Sequence, residues 1–404
     1  MTKYGRSPWI DRFPKSRVPA YPACRGALQA DVVVIGGGLT GCLTAYAFSV
    51  AGIKPILLEA DGIGQGSTAQ ATGWIAPDPG VFFVRLEQSV GRRRARAAWQ
   101  AWRRGALDFT ALLRRLDVHS SLEPHGAALV ARTADDAARL KRERTSRQDA
   151  GLEVALLNAR AIRSDLGLDA VAALRTREGA TVDPYRACVA IAAAAVARGS
   201  RLFERSEVRR ITFNRKIADV YTAAASIRTR RVIVATGVPT PLFKALARHF
   251  WFKTTFLAET LPVPAKIRHH LGRRDTVASD VVEPAHTIQW VGGDRLLVTG
   301  ADAMSVPRQR DKIFVQRTGQ LMYELSTLYP EISGILPEYG WASDYALTAE
   351  GLPYIGAHRN YPHHLFAFGD SSRGITGAYL ASRMMVRQHF GETDAADEAF
   401  SFNR

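Results

Sequence analysis

The sequence predicts an α/β fold in which a parallel sheet is covered on both faces by helices, the arrangement called doubly wound. One observation is a hydrophobic strand at 31–35 that enters a glycine-rich turn at 36–41 and is followed, one helix later, by a second strand at 55–59. The other is that strand-like and helix-like segments alternate along the rest of the chain, with no internal repeat. Such alternation is typical of βαβ units.

The glycine-rich turn has the spacing Gly36, Gly38 and Gly41. The first glycine allows a tight turn, the second lets backbone N–H groups approach a pyrophosphate, and the third lets the helix lie close to the strand. The N-terminus of that helix adds unpaired N–H groups and a positive dipole end. Glu59 ends the second strand 18 residues after Gly41, where a carboxylate can accept hydrogen bonds from ribose hydroxyls. These features predict a dinucleotide site, and the alternative is a βα turn without a ligand.

The later elements are predicted from the period of their apolar residues. In chain order they are a strand at 126–130, a polar helix at 133–150, an alanine-rich helix at 182–199, a strand at 200–211, an apolar strand at 231–237, an antiparallel pair within 290–299, a strand at 365–370 and a helix at 375–390. The strand at 231–237 ends in small residues and a glycine, so its backbone can pass close to a cofactor.

The last strand, turn and helix repeat the physical features of the first. Small and polar residues at 371–374 precede the helix, where they can hold an oxygen-rich, electron-accepting ring. A serine-hydrolase elbow is excluded, because its GxSxG pattern requires a glycine where Arg373 stands. A plain structural turn remains the alternative.

Length and composition fit a soluble enzyme of about two domains. The 404 residues are 47% hydrophobic, and no apolar run reaches membrane-spanning length. Residues 1–20 are polar and broken by prolines, so we expect neither an anchor nor a secretory signal. The three cysteines are widely spaced and form no metal-ligand pattern, so we expect no metal and a reducing, cytoplasmic location. The histidine pairs at 269–270 and 363–364 are predicted to lie at the surface.

Part of the net charge of +16 comes from an arginine-rich segment at 92–104. The functional alternatives for this segment are an interfacial membrane helix or a nucleic-acid patch. We favour a solvated helix whose apolar stripe packs on the core, so we expect no nucleic-acid partner and at most a weak peripheral contact with membranes. The stripe, at helical spacing, consists of Ala95, Ala98, Trp99, Trp102, Ala106 and Phe109.

A series of stretches along nearly the whole chain resembles the FAD-dependent amine and amino-acid oxidoreductases of the D-amino-acid oxidase superfamily. The resemblance is to the branch that contains glycine oxidase, sarcosine oxidase and gamma-glutamylputrescine oxidase. Each stretch is unspecific alone, but the ordered set is specific. The stretches are 36–41 with Glu59, 64–69, 182–184, Val208, 234–237, 259–262, Trp341 with 351–356, and 368–369 with 374–376.

The resemblance implies a Rossmann-like FAD-binding domain of the glutathione-reductase type, assembled from residues 1–85, 180–245 and 345–404. It also implies an α+β substrate domain on a mixed sheet, formed by residues 86–179 and 246–344. The flavin is expected to bind non-covalently, because the C-terminal half contains no cysteine.

Each part of the cofactor is expected to meet its own group of residues. These are Gly36, Gly38, Leu39, Thr40 and Gly41 at the pyrophosphate, Glu59 and Ala60 at the adenosine ribose, Gly66, Ser67 and Thr68 along the ribityl chain, Val208 at the adenine, Ala235, Thr236 and Gly237 over the dinucleotide, and Gly369, Asp370, Arg373, Gly374, Ile375 and Thr376 at the flavin.

The implied chemistry is removal of a hydride from a C–H bond next to an amine nitrogen, followed by hydrolysis of the imine. Arg373 would pair with a substrate carboxylate, or else form a salt bridge to Asp370 or a helix-end contact. Tyr345 and Trp290 are expected near the flavin ring, as is Trp74, although each could instead be a core aromatic residue.

One departure from the family pattern affects the expected reaction. Relatives often carry a lysine over the flavin that helps oxygen to react, but the corresponding strand at 296–300 has none. The electron acceptor could therefore be oxygen, a quinone or a partner protein. An NAD-dependent dehydrogenase and a non-catalytic flavin-binding subunit remain alternatives.

Overall fold

The computed structural model describes residues 1–214, 216–282, 285–304, 310–369 and 373–404, with no side-chain description for residues 310 and 311. Within these ranges the strands, numbered in chain order, are β1 (Lys3–Tyr4), β2 (Gly26–Ile35), β3 (Ile56–Leu58), β4 (Trp74–Ile75), β5 (Glu123–Pro124), β6 (Gly126–Ala131), β7 (Ala155–Asn158), β8 (Ala172–Thr176), β9 (Ala180–Thr181), β10 (Arg201–Phe203), β11 (Arg210–Phe213), β12 (Ala218–Tyr221), β13 (Ala225–Gly237), β14 (Trp251–Thr260), β15 (Thr276–Asp280), β16 (Thr287–Val291), β17 (Arg295–Ala303), β18 (Pro337–Leu347), β19 (Tyr354–His358) and β20 (Tyr361–Phe368). The α-helices are α1 (Pro8–Asp11), α2 (Leu39–Val50), α3 (Ser67–Gln70), α4 (Phe83–Val90), α5 (Arg92–Arg115), α6 (Ala134–Asp149), α7 (Ala159–Leu166), α8 (Pro184–Ala197), α9 (Ala265–Arg268), α10 (Arg310–Leu328) and α11 (Gly374–His389). A 3₁₀ segment, Pro241–His249, follows β13.

A parallel sheet in the order β10-β3-β2-β13-β20 forms the first layer, and this confirms the predicted α/β fold class. The first half of β13 also pairs with β12 in an antiparallel ribbon that includes β11, and β19 pairs with β20. Helices α2, α8 and α11 pack beside one another in a core with the sheet. Where α2 meets α8, the sulfur atoms of Cys42 and Cys188 lie 3.7 Å apart as buried free thiols.

A mixed sheet in the order β1-β18-β14-β17-β16-β15-β6-β8-β7 forms the second layer. Most of its neighbours are antiparallel, whereas β1 with β18 and β15 with β6 are parallel. The glycine turn predicted within 290–299 joins β16 to β17. One face of the sheet packs on α7 and α10 around a second core that contains Trp290.

Helix α5 buries the predicted apolar stripe, because all six of its residues are at most 5% exposed. The stripe packs into the same core as α2 and α11, although residues 86–179 are predicted to belong to the substrate domain. Several of the arginines of α5 form surface ion pairs, Arg93 and Arg94 with Glu398 and Arg103 with Glu178. Among the described residues, no helix is long and apolar enough to cross a membrane.

Two local expectations were wrong. The strand predicted at 200–211 is interrupted between β10 and β11, because the buried carboxylate of Glu204 accepts hydrogen bonds from the N–H groups of Tyr21 and Ile63 and holds the chain in a loop. His363 and His364 are buried rather than at the surface, since they begin the inner part of β20.

Candidate cofactor crevice and substrate cavity

A crevice of about 800 Å³ opens where β2, β3 and β13 end at their carboxyl edges. This edge of a parallel sheet is where α/β proteins hold dinucleotides. Residues far apart in the sequence form its wall, and most of the predicted cofactor residues are among them. Those that line it are Gly36, Gly38, Leu39, Thr40, Glu59, Ala60, Gly66, Ser67, Thr68, Val208, Ala235, Thr236, Gly237, Gly374 and Ile375.

The turn between β2 and α2 requires glycine at two positions. Gly36 has φ +105°, and a Cβ atom there would lie 2.6 Å from the carbonyl oxygen of Ala235. A Cβ atom on Gly41 would overlap with the carbonyl oxygen of Gly36, so Gly41 lets the helix approach the strand and does not itself line the crevice. The sequence-based roles of these two glycines therefore agree with their packing.

Two polar side chains hold this turn from across the crevice. One carboxylate oxygen of Glu59 accepts a hydrogen bond from the N–H of Gly37 at 2.5 Å, and the other accepts one from the N–H of Asp61 at 2.8 Å. The hydroxyl oxygen of Thr68 accepts a hydrogen bond from the N–H of Leu39 at 2.9 Å. Glu59 is thus fixed at the edge of the crevice, in the position where it can also accept hydrogen bonds from ribose hydroxyls.

Helix α11 presents its N-terminus to the other end of the crevice. Gly374 and Ile375, in its first turn, line the wall, and no side chain among the described residues caps the helix. First-turn N–H groups have no acceptor within their own helix, so they and the helix dipole favour an electron-rich group here. The Thr376 hydroxyl donates to the carbonyl oxygen of Ala76 at 2.8 Å, so its side chain anchors the helix and only its backbone can serve a ligand.

Unused polar groups mark the remaining end of the crevice. Val208 lies in the loop between β10 and β11, and its backbone N–H and C=O have no hydrogen-bond partner among the described residues. The hydroxyl of Thr240, which also lines the crevice, is buried without a partner in the described part of the chain. An unpaired buried polar group is costly, so the Thr240 hydroxyl fits a crevice that is completed by a hydrogen-bonding ligand. The half-buried Val208 offers its backbone groups to the same ligand. The residues present therefore fit FAD.

A second cavity of about 870 Å³ lies against the α11 end of the crevice. Three segments supply both walls: Thr72, Tyr345 and Gly374 line the crevice, whereas Trp74, Leu347 and Arg373 line the second cavity. The two spaces therefore adjoin at Arg373 and Gly374, which are consecutive in the chain and line one space each.

Arg373 precedes α11 and packs into the second cavity. Its guanidinium carbon lies 3.7 Å from the centre of the Trp74 ring, and a Cβ atom on Gly80 would lie 2.8 Å from its side chain. The Nε of Arg373 and the indole nitrogen of Trp74 are buried and have no hydrogen-bond partner among the described residues. Burial lowers the pKa of the guanidinium, and the nearby Asp78 carboxylate partly opposes that shift. A fixed cation with unused donors suits an anionic ligand.

Some predicted site residues lie elsewhere. Trp290 is packed in the second core and lines neither space. Gly369 donates its N–H to the carbonyl oxygen of Gly237 at 3.1 Å and joins the ends of β20 and β13. Asp370 lies outside the described residues, so its expected roles, including a salt bridge with Arg373, stay predictions.

The crevice also contains residues that the sequence reasoning missed. Thr240, Pro241 and Leu242 belong to a segment without a motif, although they follow the small-residue end of β13 closely. Ser343 lines the wall from β18, and its one signal was its position near Tyr345, which lines the same wall. Asp344, between them, was a candidate to attract a cationic amine; it also lines the crevice, and the hydroxyl of Thr254 donates to its carboxylate at 2.5 Å.

The sequence and the fold are similar to those of known proteins. The profile described as "DAO: FAD dependent oxidoreductase" matches residues 31–388. The gamma-glutamylputrescine oxidoreductase of Escherichia coli is 24% identical over 375 residues, covering 92% of this chain and 86% of that protein. A glycine oxidase of Bacillus licheniformis is 26% identical over 391 residues, covering 93% and 97%. The crystal structure of glycine oxidase from Geobacillus kaustophilus superposes with a TM-score of 0.75 at 20% identity, covering 93% and 99%, and therefore has the same fold.

Proposed function

This chain belongs to the FAD-dependent oxidoreductase family, and on that premise we propose that it oxidises the CH–NH bond of a small amine or amino acid. The observation that supports this most directly is that the crevice and the second cavity meet at Gly374 and Arg373. A substrate in the second cavity would lie beside the N-terminus of α11, which is the end of the crevice suited to an electron-rich ring.

When bound, FAD supplies a two-electron acceptor that takes a hydride from the C–H bond next to the nitrogen. The substrate nitrogen loses a proton to solvent as the C=N bond forms, and water then hydrolyses the imine. The two electrons leave the enzyme with an acceptor in a later step. The first-turn N–H groups of α11 stabilise negative charge at that end of the crevice, and they do so without reorganising.

Arg373 is the residue that we assign to the substrate carboxylate. Its guanidinium carbon lies 3.7 Å from the centre of the Trp74 ring, and its planar fork can offer two parallel N–H donors to a carboxylate. The Trp74 ring lines the same wall. Together these groups would orient an amino acid in the second cavity, and the aromatic ring would exclude water from it.

Oxygen is one candidate for the electron acceptor, and we propose a quinone or a partner protein as the second. The observation that favours it lies at residues 296–300 of β17, which carry no lysine. Leu297 in that segment is fully buried against Leu257 and Trp341, so the position offers an apolar contact and no cation.

The proposal is tested by mixing the FAD-loaded protein with a panel of amines and amino acids without oxygen, while the visible flavin absorbance is recorded. Bleaching by at least one amine is expected, and protein that cannot be reconstituted with FAD would refute the proposal. Admitting air or a quinone dye to the bleached enzyme then distinguishes the two acceptors by the rate at which absorbance returns.

The role of Arg373 is tested with Arg373→Ala and Arg373→Lys. We expect Arg373→Ala to raise the half-saturating concentration of carboxylate-bearing substrates by about 100-fold, because a charge-assisted bidentate pair contributes about 3 kcal/mol. Lysine keeps the charge but not the planar fork, so partial recovery is expected. An unaltered half-saturating concentration in Arg373→Ala would show that the assignment is wrong.

A further inference from the structure

The second cavity is lined by more cationic side chains than anionic ones. This excess allows an inference about the substrate that rests on the proposed function. The cations are Arg85, Arg139, Arg142, Arg147, Lys253 and Arg373, and the anions are Asp78, Glu143, Asp280 and Asp302.

Three of the four carboxylates are already paired with a neighbouring base. Glu143 binds the Nε of Arg147 at 2.6 Å, and Asp302 binds the Nζ of Lys253 at 2.5 Å. Asp280 binds the Nδ1 of His286 at 2.7 Å, and the Nε2 of the same ring binds Glu324, which does not line the cavity, at 2.9 Å. Both contacts raise the pKa of the imidazole, the one with Asp280 most. The pairs of Glu143 and Asp302 contribute little net charge to the interior of the cavity, and Asp280 shares its imidazole with a second carboxylate.

Arg139 also lines the cavity, but it is paired with a carboxylate that does not. Its guanidinium lies 3.5 Å from the Asp136 carboxylate and donates to the carbonyl oxygen of Val281 at 3.1 Å. It is therefore balanced by an acid that does not line the cavity.

Three cations and one carboxylate remain. Arg85, Arg142 and Arg373 form no ion pair among the described residues, and neither does Asp78. The Asp78 carboxylate accepts a hydrogen bond from the N–H of Gly80 at 2.9 Å. Arg85 and Arg142 are exposed, whereas Arg373 is half-buried with its Nε fully enclosed. The described lining thus keeps an excess of unpaired cations over unpaired carboxylates, with Arg373 inside, near Asp78, and Arg85 and Arg142 at exposed positions of the lining.

We propose that the second cavity selects amino acids that carry a second carboxylate, so that the substrate is an amino or imino dicarboxylate. One carboxylate pairs with Arg373, and the other lies toward Arg85 and Arg142, which determine specificity. The reacting C–H and N–H bonds and the fate of the electrons are those of the proposed reaction. A substrate with a terminal ammonium group instead meets like charge at the opening, which disfavours it.

The test uses matched pairs of substrates that differ in the second carboxylate, namely iminodiacetate against N-methylglycine and glutamate against glutamine. Flavin bleaching by the FAD-loaded enzyme is followed without oxygen at low salt. We expect each dicarboxylate to reach half-saturation at a concentration at least about tenfold below its partner, with a ratio that falls as salt is added. Calorimetry with glutarate against butyrate, which cannot be oxidised, should give the same order of affinity.

Variants assign the preference to the cavity opening. Arg85→Gln and Arg142→Gln should each reduce the preference for the dicarboxylate about fivefold, because a partly solvated charge pair contributes about this much. Arg104→Gln removes the same charge from an exposed position that lines neither space, so it should keep the wild-type preference.

Each outcome bears on one of the two proposals. Equal half-saturation within each pair, or bleaching by amines with a terminal ammonium only, would overturn the dicarboxylate inference and leave the proposed function standing. A failure of every amine to bleach the flavin would instead refute the proposed function. Loss of the preference in Arg104→Gln to the same extent as in Arg142→Gln would indicate general steering by net charge and would overturn the assignment to the cavity.

Discussion

Glu143 forms the most completely buried ion pair near the substrate cavity, and its replacement by alanine should destabilise the protein strongly. Its carboxylate, 0% exposed, binds the Nε of Arg147 at 2.6 Å and accepts the N–H groups of Phe83 and Val84 at 2.8 and 3.1 Å. Arg147 in turn lies over the Trp99 ring, 4.4 Å from its centre. One side chain therefore joins α6 to the first turn of α4 and neutralises a buried cation.

The expected cost follows from the groups that Glu143→Ala leaves unpaired. A buried charge without its partner costs about 3–5 kcal/mol, and each unpaired N–H adds about 1–3 kcal/mol, which water entering the vacated space would partly relieve. Because of that relief we take the lower end of the summed costs, about 5 kcal/mol. An unfolding entropy of about 2.1 cal/mol/K per residue over the 404 residues converts this to a fall in Tm of about 6 °C.

The assay is thermal unfolding of the FAD-loaded protein followed by circular dichroism. Glu143→Gln keeps the size and one acceptor oxygen, so it should lose about half as much. The decisive variant is Glu143→Leu combined with Arg147→Met, because it removes the unpaired charge and should recover the stability lost to that charge, whereas the N–H groups of Phe83 and Val84 stay unpaired. The reasoning fails if this double variant unfolds at or below the temperature of Glu143→Ala. Because α4 also lines the second cavity, Glu143→Ala should weaken substrate binding more than FAD binding.

Three further changes test other parts of the structure. Gly36→Ala should weaken FAD binding at least about tenfold in a fluorescence titration, because strain at positive φ costs about 1–3 kcal/mol and the new Cβ also meets a backbone oxygen. Gly26→Ala, at φ +76° in open space, is the matched control. Equal FAD affinities of the two variants would contradict the packing argument. His364 is buried in an aromatic cluster, its two ring nitrogens have no partner in the part of the chain that the structure describes, and burial lowers its pKa to about 4. Its contribution to stability is therefore present above the unfolded pKa of about 6.5 and lost as pH falls toward 4, so His364→Phe should retain about 3 kcal/mol more stability than wild type on going from pH 7 to pH 4, measured by urea unfolding. Burial raises the pKa of Asp183 to about 6, so its ionised form destabilises the fold above that pH, and this penalty disappears as pH falls toward 4. Asp183→Asn keeps the oxygen that caps α8 and should raise Tm at pH 8 but not at pH 4.

The fold and the cofactor crevice could be predicted from the sequence because their signals are local. A glycine with positive φ, a run of apolar β-branched residues and a carboxylate at a strand end each act within a few residues of the chain. The stripe of α5 was predictable for the same reason, since helical spacing alone determines which residues share a face. The exact limits of the elements depended on tertiary contacts, as the Glu204 carboxylate illustrates by replacing a strand with a loop.

The substrate cavity could be predicted only in part. Arg373 was identified from its position in the last turn, but its neighbours Trp74 and Gly80 lie almost 300 residues earlier in the chain, and no sequence period connects them. Trp290 was expected near the ring because its segment was expected there, yet alternation along β16 places its side chain on the core side. The pairing that cancels most of the cavity charges is likewise a property of packed side chains and not of sequence spacing.

The crevice combines the turn after β2 with the start of α11, and these segments are separated by more than 300 residues. On the proposed assignment of these segments, a ribosome releases the loop that would bind the pyrophosphate long before it synthesises the helix that would meet the flavin. A nascent chain that lacks α11 also lacks one wall of the crevice. We therefore expect full retention of the cofactor only after that helix has emerged.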